Sequence, residues 1–65
     1  MLLEAIVRFV EDALVAVRSA GDQRSEGMLL AIRGRLLMRA GLLEQAARDY
    51  DEAIRLDRAV GNRYA

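Results

Sequence analysis

The sequence contains no cysteine, histidine, proline, tryptophan or lysine. Without cysteine there is no disulfide framework and no thiolate metal site. Without histidine or cysteine the usual nucleophile–base pairs are missing, and Ser19 and Ser25 lack an activating base. No glycine-rich phosphate loop is present. Net charge is zero, with ten arginines against ten acids, so no long-range field draws the chain to nucleic acid or to an anionic membrane. The apolar stretch from Met1 to Val17 is interrupted by Glu4, Glu11 and Asp12, which spoils both a signal peptide and a membrane span. Together these absences predict a cytoplasmic protein without catalytic activity, cofactor or metal, and without a nucleic-acid or membrane partner.

What is present is helix-forming and amphipathic. Apolar residues make up 54% of the 65 positions and charged residues 31%, which favours one compact all-α unit over disorder. At this length a single core is marginal unless helix packing is very regular or the chain associates. In the first helix, predicted over 2–20, Leu3, Ile6, Val7, Val10, Ala13, Leu14 and Val17 follow the 3–4 spacing of one broad stripe. Gly21 closes it, Arg18 suits its last turn, and Asp22 is the expected N-cap of a second helix over 23–40, with Glu26 in its first turn. That second helix is apolar around more than half its circumference, so it needs neighbours on two faces. Gly34 lies inside it at a cost of about 1 kcal/mol against alanine, a pattern that marks a close helix crossing. Gly41 breaks the run. A third helix is predicted over 42–60, with Gly61-Asn62 closing it. Glu4–Arg8, Glu44–Arg48 and Asp51–Arg55 are spaced as i,i+4 ion pairs.

The chain repeats itself. Shifted by 40 residues, 1–25 falls on 41–65 with identities at Leu2/Leu42, Leu3/Leu43, Glu4/Glu44, Arg8/Arg48, Ala13/Ala53, Arg18/Arg58 and Gly21/Gly61. That is seven of 25 positions, against about two expected by chance. The first and third helices are therefore copies of one element, and the second is its complement. The order reads B–A–B, with Asn62 onward expected to begin a further A helix.

Within this pattern Gly34, Gly41, Ala46, Tyr50 and Ala53, with Leu30 and Leu37 as framework positions, resemble the signature of a tetratricopeptide repeat over Gly27–Asp57. The longer period is similar to tetratricopeptide variants of bacterial regulatory proteins. Arg33, Leu37 and Arg58 depart from the family pattern, standing where a leucine, an aromatic and a proline are usual. The resemblance implies a single unit, 1–65, of about one and a half antiparallel repeats. It also implies a protein-interaction module whose A-helix face binds a peptide or protein. Carried over by position, that face holds Met28, Ala31, Arg35, Met38 and Arg39. Arg35 and Arg39, one turn apart, suit an acidic group on the partner. The bland alternatives are a solvated basic stripe and methionines acting as core filler.

Two further expectations concern charge and association. Arg33 and Asp57 are charges set in apolar stripes, and either pair between helices or reach individually to water. The first helix is a B element without its own A element. Its face at Leu3, Ile6, Val10 and Ala13 is expected to self-associate, giving a homodimer. A structural, self-assembling repeat fragment is accordingly the alternative to a module that binds a foreign partner.

Overall fold

The computed structural model describes residues 2–64, with side chains described from Leu2 to Gly61. Three helices follow one another: α1 (Leu2–Ala20), α2 (Gln23–Arg39) and α3 (Leu43–Tyr64). The described residues contain no strand. The fold is all-α, as the 3–4 apolar spacing requires.

Both turns are built alike. Gly21 (φ 71°) and Gly41 (φ 82°) take the left-handed conformation that other residues adopt at a cost. At the first turn the Gly21 amide donates to the Arg18 carbonyl at 3.1 Å and the Asp22 amide to Val17 at 2.9 Å. At the second, Gly41 donates to Met38 at 3.0 Å and Leu42 to Leu37 at 2.9 Å. Each is a paired closure that satisfies the last free carbonyls of a helix. Asp22 then caps α2, its Oδ1 accepting from the Ser25 amide at 3.1 Å. Arg18 Nε donates to Glu26 Oε2 at 2.8 Å and ties the end of α1 to the start of α2.

α3 does not end at Gly61. That glycine keeps a helical backbone, and the helix runs on to Tyr64. The expected stop is thus overturned, and 62–64 continue α3 instead of opening a further A helix. A glycine ends a helix only where a left-handed residue is completed by returning amides, as at 21 and 41.

α2 lies between its neighbours, and the backbones of α1 and α3 stay apart. The result is a plate measuring 40 × 22 × 11 Å, one helix thick along its short axis. Its core is Val10, Leu14, Leu30 and Leu56, supported by Val17, Leu29, Leu36 and Ala53. Val10 therefore faces inward at 5% exposure, and it leaves the self-association face expected from the sequence. The outward face of α1 is centred instead on Leu2 and Phe9, at 77% and 75% exposure, with Ile6 beside them and Leu3 at its edge. Ala13 is half-buried.

Candidate functional site

Three surfaces of the plate carry distinctive chemistry. The first is a groove of about 640 Å³ between α2 and α3, to which α1 contributes no lining residue. Gly27, Met28 and Ala31 form its α2 wall, and Tyr50, Ala53, Ile54 and Val60 its α3 wall. Two glycines set its shape. At Gly27 a β-carbon would lie 3.6 Å from the Ala53 carbonyl oxygen and 3.6 Å from Leu56 Cβ, so the helices nearly touch at the floor. At Gly34 it would lie 3.2 Å from Tyr50 Cε2 and 3.3 Å from Cδ2 and Cζ. The tyrosine ring lies on the glycine backbone, and its outer side faces the groove. Tyr50 is accordingly half-buried; of the two alanines that flank it on the same face, Ala46 is buried and Ala53 is half-buried.

The groove mouth is charged on both sides, by Arg24 from α2 and Asp57 from α3. Of the residues assigned to a binding face from the sequence, Met28 and Ala31 reach the groove. Arg35, Met38 and Arg39 do not line it and are exposed on the outer ridge of α2. Met28 and Met38 are both exposed, so neither is core filler. The solvent-facing ridge of α2 is thus Arg24, Met28, Ile32, Arg35, Met38 and Arg39, three positive charges among apolar side chains with no carboxylate. Arg24 was not expected from the sequence; it lies one helical turn before Met28, which is the signal that would have placed it there.

The second surface is a smaller polar hollow of about 330 Å³ where α1, α2 and α3 converge. Arg33 fills it. Its Nε donates to Asp49 Oδ2 at 2.7 Å and its Nη2 to Asp49 Oδ1 at 2.9 Å. Glu11 Oε2 of α1 stands 3.6 Å from Nη1. Of the two arrangements open for Arg33 and Asp57, the pair is not formed: Arg33 pairs with Asp49, and Asp57 stands exposed. Asp49 shares the buried stripe of Ala46, Ala53 and Leu56, whereas Asp57 is exposed at the groove. The Asp49 hydrogen bonds raise the Arg33 guanidinium above its usual pKa, against the opposing effect of partial burial. With both Asp49 oxygens engaged, the pair is a structural brace between α2 and α3.

Besides this brace and the Arg18–Glu26 pair between α1 and α2, a further ion pair lies within α3. Arg55 pairs with Glu52, three residues earlier, through Nε at 2.9 Å and through Nη2, and not with the expected Asp51. Among the described residues no cluster of three metal-ligating side chains occurs, and no helix is long and apolar enough to cross a membrane. The third surface is the outward face of α1 around Leu2, Ile6 and Phe9.

Compared with known proteins, the chain matches no family model, no curated protein and no solved structure.

Proposed function

We propose that the chain is a non-catalytic protein-interaction module that holds an amphipathic helix of a partner in the α2–α3 groove. One observation carries the reading. The inward surface of α1, at Val10, Leu14 and Val17, packs with Leu29, Leu30 and Leu36 of α2. Its copies 40 residues on are Tyr50, Ile54 and Asp57, and all three line the open groove. The chain thus contains a filled example of the same site, and what fills it is a helix. The tetratricopeptide-like spacing of Gly34, Gly41, Ala46, Tyr50 and Ala53 supports the same reading.

The filled copy also describes the occupant. A partner helix would carry large apolar residues at i and i+7, as Leu29 and Leu36 do. Asp57 replaces Val17, so the groove favours a basic residue at that depth. Arg24, Arg35 and Arg39 along the ridge favour acidic residues on the partner's outer flank. The same proposal places the module in the cytoplasm, the setting implied by the bacterial regulatory proteins that the repeat resembles.

The test is a titration followed by NMR amide shifts. The probe is a synthetic peptide of residues 23–40, held helical by a hydrocarbon staple on its solvent side. Shifts clustered at Gly27, Ala31, Ile54 and Gly61, lost in Ile54→Glu, are expected. Shifts elsewhere, or none at saturating peptide, would remove the groove as a helix site.

A further inference from the structure

The outward face of α1 has a pattern that neither the core nor the groove uses. Leu2, Ile6, Phe9, Ala13, Ala16 and Ala20 succeed one another at spacings of four, three, four, three and four residues. That is the a/d alternation of a coiled-coil seam. Leu2, Phe9, Ala16 and Ala20 are exposed, Ile6 is at 38% exposure, and Ala13 is half-buried. The seam is divided by size: its first half is large and its second half is alanine throughout.

We infer that this face is a homodimer interface in which two α1 helices pair antiparallel about a two-fold axis near Glu11. A second copy is the occupant that the pattern selects, because the face is complementary to itself in that orientation alone. With the axis at Glu11, Leu2 meets Ala20 of the partner, Ile6 meets Ala16 and Phe9 meets Ala13. The same three layers recur on the other side of the axis. Every layer joins one large and one small side chain, so the helices run at constant separation and each large group fills the space over an alanine. Parallel pairing would crowd Phe9 on its own copy and leave a gap along the alanine half.

Asp12 is the charged residue nearest the seam on the edge away from α2, and it lies one residue from the axis. The two Asp12 carboxylates therefore meet across the two-fold, each with the Arg8 of its own helix one turn earlier to offset the like charge. Leu3, at the opposite edge beside α2, would be covered by the same event. The interface also supplies apolar burial that a 65-residue chain has difficulty supplying alone. This surface does not overlap the α2–α3 groove, so the two proposals stand or fall separately.

The test exchanges volumes across one layer of the full chain. Ile6→Ala opens a gap opposite Ala16, and Ala16→Ile crowds Ile6; each alone should raise the dimer dissociation constant about 10-fold or more. Combined, they exchange large for small within the same layer and should restore it. Circular dichroism should be alike in all four proteins, since both positions face outward in the single chain. Light scattering at two concentrations reads the mass. Wild-type protein is expected at twice 7.2 kDa, with loss in each single variant and recovery in the double. A mass of 7.2 kDa at both concentrations would overturn the inference and leave the face to a different partner. A dimer indifferent to the single changes, or one not recovered by the double, would overturn the antiparallel pairing.

Discussion

Arg33 and Asp49 face each other across the α2–α3 interface with two parallel hydrogen bonds of 2.7 and 2.9 Å. Asp49 is 7% exposed, while Arg33 keeps a path to water. With Glu11 at 3.6 Å the pair reaches all three helices. Such a brace fixes how the helices are registered along one another more than it adds net stability. Asp49→Ala should cost about 2 kcal/mol, less than a fully enclosed pair, because the stranded guanidinium can turn to solvent. Arg33→Met combined with Asp49→Leu should recover most of that loss. Urea melts of the wild type and the two variants check it; a double variant as unstable as Asp49→Ala would mean that the polar pair itself is required.

Gly34 and Tyr50 should behave as a coupled pair. Tyr50→Ala removes a half-buried ring and should cost about 2–3 kcal/mol. Gly34→Ala gains about 1 kcal/mol of helix propensity but pushes the ring, so on its own it should be close to neutral. In the Tyr50→Ala background the ring is absent and the full gain should appear. A thermal double-mutant cycle measures the difference; strict additivity would show that the ring does not rest on the glycine.

Acid should weaken the start of α2. The Ser25 hydrogen bonds to Asp22 hold its carboxyl below the ordinary 3.8. A folded-state pKa below the unfolded one means a contribution complete above the unfolded value and lost as pH falls through the folded one. Asp22→Asn keeps an acceptor at the cap without the proton. Between about pH 5 and about pH 2 its melting temperature should therefore fall less than that of the wild type. Equal slopes would show that the cap contributes nothing to the acid response.

The basic ridge of α2 should select acidic partners. Replacing Arg35 and Arg39 together by glutamine should weaken binding of acidic helical peptides and flatten its salt dependence, while a neutral peptide of the same apolar pattern is unaffected. Fluorescence anisotropy at two salt concentrations reads both effects. Undiminished affinity for the acidic series would confine the site to the groove walls.

The legibility of this chain followed the range of each signal. Helix ends at Gly21, Asp22 and Gly41 depend on a few adjacent residues, and the sequence placed them closely. Gly61 lacks the left-handed backbone and returning amides of those turns, and α3 passes through it. The face of α1 was harder. Its apolar stripe is wider than one neighbour can cover, so periodicity alone could not tell that Val10 turns inward and Phe9 outward. The partner of Arg33 depended on how far α3 slides along α2. Asp49 and Asp57 are eight residues apart, about two turns. Asp49 sits three residues after Ala46 and four before Ala53, on the stripe those alanines define, and that spacing marks it as the inward carboxylate.

The plate-like order α1–α2–α3 has a kinetic consequence. Every helix interface joins elements adjacent in the chain, so folding closes only short loops and should be fast. The α2–α3 interface is the more extensive of the two. α1 can thus swing open about the Gly21 turn while the other pair stays formed, as a separate cooperative unit. Its amides would exchange with solvent ahead of those at Leu30 and Leu56, and each opening would briefly bare Val10, Leu14 and the leucines of α2 that cover them.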